Sequence, residues 1–361
     1  MDNVMKAVAK VRSEYGSFEV IEVPMAKSPG DHEVKIRVET VGICGTDLSI
    51  YKWTETVARE YHPVFPLIPG HEFAGIVEEV GAGVSHLKVG DKVAINPHIS
   101  CGICPYCIQN RESICENRPI LGCHADGGLT QYLTVRAKNV FVLPANVPIY
   151  LGSLAEPLSV TVHALERVQQ KSDKAAAIVG VGTVGLLQYI ACKAAGYEDI
   201  VLFGLDSDQE RMELAKRMGA KTVNIEKEDP YIAFERLTGQ PKADVVFEVA
   251  GTNDSITFAI DLVKTAGKVA MVGIAASYTP IDTTKVVFAE KELIGVRAYN
   301  LSTWPKTMEI IGKIVPQLEL LVTHRLSLAE TNKAVELLLK RQCLKVVIEP
   351  NAESLAGREG R

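Results

Sequence analysis

The sequence predicts an α/β protein of two domains, one mostly β and one built on a doubly wound parallel sheet. The chain's 361 residues exceed what a single hydrophobic core usually serves. Residues 1–150 are rich in Val, Gly and Pro, with short strand-like runs separated by turn residues. From Leu154 to Arg297, apolar runs of strand length alternate with amphipathic helical patterns, the rhythm of successive βαβ units. The expected division is therefore 1–153 with 298–361 for the β-rich domain and 154–297 for the parallel one.

The elements follow in order. HEVKIRVETVG and AGIVEEVG read as strands of the first domain. AAAIV, at 175–179, reads as a buried parallel strand, and Leu186, Leu187, Ile190, Ala191 and Ala194 fall on one face of the helix that follows. DIVLFGLD, DVVFEVAG, KVAMVGIA and ELIGVRAY are further strands, and SITFAIDLVKTAG a helix between two of them. Helical patterns after Trp304 are expected to return to the first domain. The tail NAESLAGREGR has little apolar content and is expected to be mobile.

Composition excludes several function classes. The chain is 47% hydrophobic and 23% charged with a formal net charge of -5, and it has no long basic run, so no nucleic-acid partner is expected. MDNVMKAVAKVRSEYG has no apolar stretch of signal-peptide length, which predicts a cytoplasmic protein. Ala175 to Cys192 is eighteen residues without a charge, near the lower limit for a bilayer span. Its three spaced glycines and Gln188 suit a strand, tight turn and helix instead, so no membrane association is expected.

HISCGICPYCIQNRESIC places Cys101, Cys104, Cys107 and Cys115 in a C-x2-C-x2-C-x7-C pattern. In a reducing compartment such a cluster reads as a metal site rather than as disulfides. Four thiolates satisfy tetrahedral zinc with no open position, which is a structural site. An iron-sulfur centre is the rival reading, but the fourth cysteine comes after seven residues and without the following proline of the ferredoxin run. A thiol redox sensor is the third.

VGVGTVG supplies Gly180, Gly182 and Gly185 as G-x-G-x-x-G between the apolar strand and its helix. A helix N-terminus there points unpaired N–H groups at a pyrophosphate, and the glycines allow close backbone approach. Asp206 ends the next strand, twenty-one residues beyond Gly185, where a dinucleotide fold needs an acid for the adenosine ribose hydroxyls. That carboxylate favours NAD over NADP, with Arg211 nearby as the opposing charge. Thr183 and Val184 at the helix start, and Ile274 beyond KVAMVG, complete the expected cofactor-binding set.

ICGTD, PGHEFAGIVEEVG, VGDKVAINP, the four-cysteine lobe, GVGTVG and Asp206 occur in this order along nearly the whole chain, and together they resemble the zinc-dependent medium-chain dehydrogenases. The resemblance implies a GroES-like catalytic domain, a Rossmann NAD-binding domain and two zinc ions per subunit, one catalytic and one structural. It implies that Cys44 and His71 bind the catalytic zinc, and that Glu156 and Glu72 are further ligands or groups exchanging with the metal's water. Which of the two glutamates is the direct ligand stays open. Asp47 would accept from the His71 ring and fix its tautomer, and Thr46 would take the substrate proton. Ser49 departs from the pattern, since relatives often carry a histidine there that extends the proton path, and His124 is the candidate substitute.

Glu156 in its Glu-Pro-Leu setting is similar to the polyol and threonine dehydrogenase branches. These imply a secondary hydroxyl on a small polar substrate, a polyol, sugar acid or cyclitol, and a homotetramer. Trp53 resembles the threonine branch, whereas ILGCHADGGLTQY and AYNLSTWP look closer to polyol dehydrogenases. Arg297, Tyr299, Asn300 and Trp304 are read either as pocket lining or as packing. Cys123, Cys192 and Cys343 are read as packing residues. Two other classes compete: a non-catalytic zinc-lobe binding protein, which has no use for Asp206, Cys44 or Glu156, and a zinc-free quinone reductase, which lacks the cysteine lobe and the Cys44, His71 pair.

Overall fold

The computed structural model describes residues 4–169, 175–275 and 278–352, and the chain forms two units, Met1–Glu156 with Asn300–Arg361 and Pro157–Tyr299. The tail beyond 352 lies outside the described residues.

In the first unit, strand Glu33–Gly42 alternates buried Val34, Ile36 and Val38 with half-exposed Lys35, Arg37 and Glu39, the period of a strand with one face on a core. It is central to a seven-stranded sheet. The order runs Val322–Ser327, Lys345–Glu349, Glu33–Gly42, Glu72–Val80, Lys92–Ile95, Val140–Val142, with Tyr132–Arg136 also on Glu33–Gly42. Val34, Ile36, Phe73, Val77, Val93, Ile95, Val346 and Ile348 belong to the core packed on it. Strands Val4–Lys10 and Phe18–Pro24 form a separate antiparallel pair. The register matters for function: Gly42 pairs with Glu72 on one side and Val347 on the other, so three strands converge where the chain turns into Ile43 and Cys44. The segments after Trp304, including strand Lys345–Glu349, belong to this unit.

The second unit holds six parallel strands in the order Lys221–Asn224, Ile200–Gly204, Ala176–Val179, Ala243–Glu248, Val263–Met271, Glu292–Gly295. This is the 3-2-1-4-5-6 order of the Rossmann fold, whose direction reverses between the first and fourth strands. Ala176–Val179 and Ile200–Gly204 are buried throughout, as a sheet covered on both faces requires. Two boundaries differ from expectation. Ala194, at the last position of helix Thr183–Ala194, is exposed. The helix read as SITFAIDLVKTAG stops at Leu262, because Val263 pairs with Ala243 and opens the next strand. The uncharged window Ala175–Cys192 splits into a strand and the start of a helix, and no helix among the described residues is long and apolar enough to cross a membrane.

Candidate metal and dinucleotide sites

Cys44 sits at the N-cap of helix Gly45–Lys52, and His71 immediately precedes strand Glu72–Val80. Asp47 joins the two: its Oδ2 accepts the Cys44 amide at 2.8 Å and its Oδ1 the Gly70 amide at 3.2 Å. The turn needs glycine, since Gly70 has φ +91 and a Cβ there would press on Val41. Loop residue Gly122 packs against the Gly70 backbone, which brings Cys123 to the same place. The ligand atoms of Cys44, His71 and Glu72 then lie within 4.8 Å of one another. Glu156 is buried in the first turn of helix Ala155–Val168 but falls outside that set.

The expected Asp47 contact to the ring is looser than a hydrogen bond. His71 Nδ1 stands 3.6 Å from Asp47 Oδ1, because both carboxylate oxygens are committed to backbone amides. Burial alone would push the His71 ring down, yet the Asp47 carboxylate and the Cys44 thiol hold it well above the ordinary imidazole range. These neighbours favour positive charge at the His71 ring. A sulfur, an imidazole and a carboxylate together are a donor set that zinc accepts while keeping a position open. Glu72 already has one cationic neighbour. Its carboxylate pairs with the ammonium of Lys345, both side chains are almost fully buried, and Lys345 Nζ also donates to the Ile43 carbonyl at 3.2 Å. Lys345 was not singled out by the sequence reading; it lies 273 positions from Glu72, and only the pairing of its strand with Glu33–Gly42 brings them together.

In the four-cysteine lobe the Sγ atoms of Cys101 and Cys115 are 3.5 Å apart, and those of Cys101–Cys107 and Cys104–Cys115 are each 3.9 Å apart. A tetrahedron with bonds of about 2.3 Å has an edge of about 3.8 Å, so the spacing fits one zinc ion. A multi-iron cluster, with sulfides between the metals, would hold the thiols further apart. Amides of Cys101 and Cys104 donate to Cys115 Sγ and Cys101 Sγ at 3.5 and 3.4 Å. Backbone N–H groups of Cys107 and Glu116 bring the Cys104 thiol down to about 6, while burial pushes that of Cys107 up to about 12. All eight cysteines are free of disulfides.

The three glycines of the second unit have distinct steric reasons. Gly180 has φ +116, and a Cβ at Gly185 would collide with the Gly180 carbonyl. At Gly182, the N-cap of helix Thr183–Ala194, a Cβ would meet nothing within 4 Å, so that side of the turn is open to a ligand. Thr183 and Val184 are half-buried in the first turn, and Ile274 is exposed beyond strand Val263–Met271. Asp206 follows strand Ile200–Gly204, and its Oδ1 accepts from Asn224 Nδ2 at 2.7 Å and pairs with Lys227 Nζ at 2.7 Å. These two partners hold its carboxyl below the usual range. Arg211 reaches Asp208 at 3.3 Å instead. The cation beside Asp206 is therefore Lys227, which comes from the turn after the neighbouring strand Lys221–Asn224, where a linear motif does not point.

Four readings are corrected or narrowed by packing. Trp53 caps helix Gly45–Lys52 in a left-handed conformation and packs on Phe65, centroids 5.2 Å apart, with the Lys10 ammonium 5.9 Å from its ring. Trp304 is buried and stacked on Phe141 at 4.8 Å, and Asn300 Oδ1 accepts the Ser113 amide at 3.1 Å, so both serve packing. Cys123 is more than filler: burial pushes its thiol up while the His71 ring draws it back down. Tyr61, just past the short helix Glu55–Glu60, was missed; it is half-buried, its ring stands edge-on to that of His124 with centroids 5.2 Å apart, and burial pushes its phenol up. An irregular turn offers no periodicity from which to find it.

Residues 30–145 match the family model for the alcohol dehydrogenase GroES-like domain, and residues 183–313 that for zinc-binding dehydrogenase. L-threonine 3-dehydrogenase of Bacillus subtilis (strain 168) is 35% identical over 349 residues, covering 96% of this chain and 99% of that protein. Sorbitol dehydrogenase of the same strain is 34% identical over 352 residues, covering 96% and 98%. Among solved structures, a short chain alcohol dehydrogenase from Escherichia coli CFT073 complexed with NADH has a TM-score of 0.86 at 26% identity, covering 96% of this chain and 100% of that one.

Proposed function

Because the chain belongs to the zinc-dependent medium-chain dehydrogenases, in the branch that includes polyol and threonine dehydrogenases, we propose that it oxidises a secondary hydroxyl of a polyol, sugar acid or cyclitol to a ketone with NAD as hydride acceptor. The observation that carries the reading is the pocket of Cys44, His71 and Glu72, whose neighbours favour positive charge at the His71 ring, with Thr46 two residues from Cys44. Cys44 and His71 would hold the catalytic zinc with Glu72 or Glu156, and the four-cysteine lobe would hold a second zinc that only braces its loop. When bound, the catalytic zinc supplies Lewis acidity that makes a hydroxyl easier to deprotonate. Asp47 holds the Cys44 and Gly70 turns together. Thr46 would take the substrate's hydroxyl proton, the open side of Gly182 and the helix N-terminus after it would receive the pyrophosphate, and Asp206 would take the ribose hydroxyls; NAD, when bound, would supply the hydride acceptor.

The contacts of half-buried Trp53 with Phe65 and Lys10 support a polyhydroxylated substrate, since the residue that resembles the threonine branch is occupied there. Oxidation of L-threonine is the second reading, favoured by the 35% identical relative. NADH formation by zinc-loaded protein with polyols, sugar acids, cyclitols and L-threonine, and with NADP in parallel, separates them. Turnover of a polyhydroxylated compound with threonine inert supports the proposal; turnover of threonine alone replaces it. We place the protein in the reducing cytoplasm, in keeping with its free thiols. We assign it a homotetramer in which the edge strand Glu292–Gly295 and the exposed Val287 and Phe288 are covered, which sedimentation velocity would test.

A further inference from the structure

We propose that Glu226 is a second carboxylate, beside Asp206, that repels an extra phosphate from the adenosine ribose site and so sets the preference for NAD over NADP. The proposal rests on the reading of Asp206 as the acid that takes the ribose hydroxyls. Glu226 comes from the turn that follows strand Lys221–Asn224. That strand pairs in parallel with Ile200–Gly204, with Asn224 opposite Gly204, and the Ile225 amide donates to the Gly204 carbonyl at 3.1 Å. The pairing sets the turn against the strand end from which Asp206 follows.

Hydrogen bonds then join the two segments. Asn224 Nδ2 donates to Asp206 Oδ1 at 2.7 Å, and the Glu226 amide donates to Asn224 Oδ1 at 3.0 Å. The Asp206 amide in turn donates to Glu226 Oε2 at 2.6 Å, a charge-assisted bond. A free backbone N–H in this turn would be a donor for a phosphate, and Glu226 occupies it. The preceding amide, of Leu205, is taken by Asp208 Oδ2 at 3.3 Å.

The cations are committed in the same way. Lys227 pairs with Asp206 at 2.7 Å and Arg211 with Asp208 at 3.3 Å. Glu226 is the third carboxylate of this network, exposed and without an ion pair among the described residues, so it leaves the network one negative charge in excess. Both contacts to the Asp206 side chain use Oδ1, which leaves Oδ2 to accept from a ribose hydroxyl. A hydroxyl donates to a carboxylate, whereas a phosphate at neutral pH carries close to two negative charges and is repelled by one.

The test measures Kd for NADH and NADPH by isothermal titration calorimetry with zinc-loaded holoenzyme, at low and high salt, in wild type, Glu226→Gln and Glu226→Ala. Glu226→Gln keeps an acceptor for the Asp206 amide and removes the charge, and Glu226→Ala also frees the amide. NADPH should bind about fivefold to tenfold more tightly to Glu226→Gln than to wild type, and more tightly still to Glu226→Ala, while Kd for NADH changes by less than about twofold. The gain in Glu226→Gln should shrink as salt rises from about 0.05 M to about 0.5 M, since an exposed charge is screened. If wild type prefers NADH and Glu226→Gln gains no affinity for NADPH, or if both coenzymes shift by the same factor, Glu226 only shapes the turn and the proposal is overturned. If wild type binds neither coenzyme, or binds NADPH the more tightly, the reading of Asp206 fails and takes the proposal with it.

Discussion

Replacing Lys345 with Met tests whether the metal pocket is as dry as its packing implies. The Lys345 and Glu72 side chains are 3% and 1% exposed, and a Cβ at Gly42 would collide with both, so the pair is closely packed. Removing one partner of a buried pair costs about 3–5 kcal/mol, because the other charge is left uncompensated. At a urea m-value of about 2 kcal/mol/M, that is a midpoint shift of about 1.5–2.5 M. The chain's two tryptophans, Trp53 and Trp304, both lie in the unit that contains the pair, so tryptophan emission follows that unit's unfolding without interference from the other. Lys345→Met should lose this much in metal-free protein and less when zinc is present to neutralise Glu72. The double variant Lys345→Met with Glu72→Leu should return to within about 1 kcal/mol of wild type, since an apolar pair of similar volume replaces the ions. A metal-free Lys345→Met midpoint within about 0.3 M of wild type would refute the desolvated pair and the electrostatics built on it.

Three further outcomes follow from the sites. Cys115→Ser should lower zinc content by about one equivalent per chain and leave NAD binding intact, as checked by elemental analysis and NADH fluorescence. Asp206→Asn should shift the NAD to NADP ratio of kcat/KM toward NADP by about tenfold or more, because it removes the carboxylate and leaves Lys227 beside the ribose site; steady-state kinetics with both cofactors would show it. Zinc uptake by the lobe should strengthen with pH. Below about 6 Cys104 is protonated and competes with the metal, and Cys107, at about 12, must release its proton at any pH in the working range. Chelator competition from pH 6 to 9 should therefore give log K rising by about one or more per pH unit, and a flat profile would contradict the thiol environment described.

The parallel unit was legible in sequence because its signals are local. A buried strand, three glycines, an amphipathic helix and an acid at the end of the next strand all fall between 175 and 206. The cysteine lobe was legible for the same reason, its ligands lying within fifteen residues. The catalytic pocket was legible only through resemblance, since Cys44, His71 and Glu156 have no common spacing. What no local pattern carries is what other strands and loops bring in. Lys345 arrives through the pairing of Val347 with Gly42, Lys227 from the turn after a neighbouring strand, and Cys123 through the contact between two glycine turns. Packing also changed the weight given to particular residues, setting half-buried Trp53 against the edge of the core while leaving Ala194 exposed.

The division of the catalytic unit between the two ends of the chain bears on how the protein is made. During synthesis the parallel unit, continuous from Pro157 to Tyr299, is complete while the first unit still lacks strands Val322–Ser327 and Lys345–Glu349. The Val41–Gly42 end of strand Glu33–Gly42, beyond the stretch paired with Tyr132–Arg136, therefore waits for strand Lys345–Glu349, and Glu72 waits with it for Lys345. The Cys44, His71 and Glu72 cluster thus gains its buried cationic neighbour only after the whole parallel unit has been synthesised.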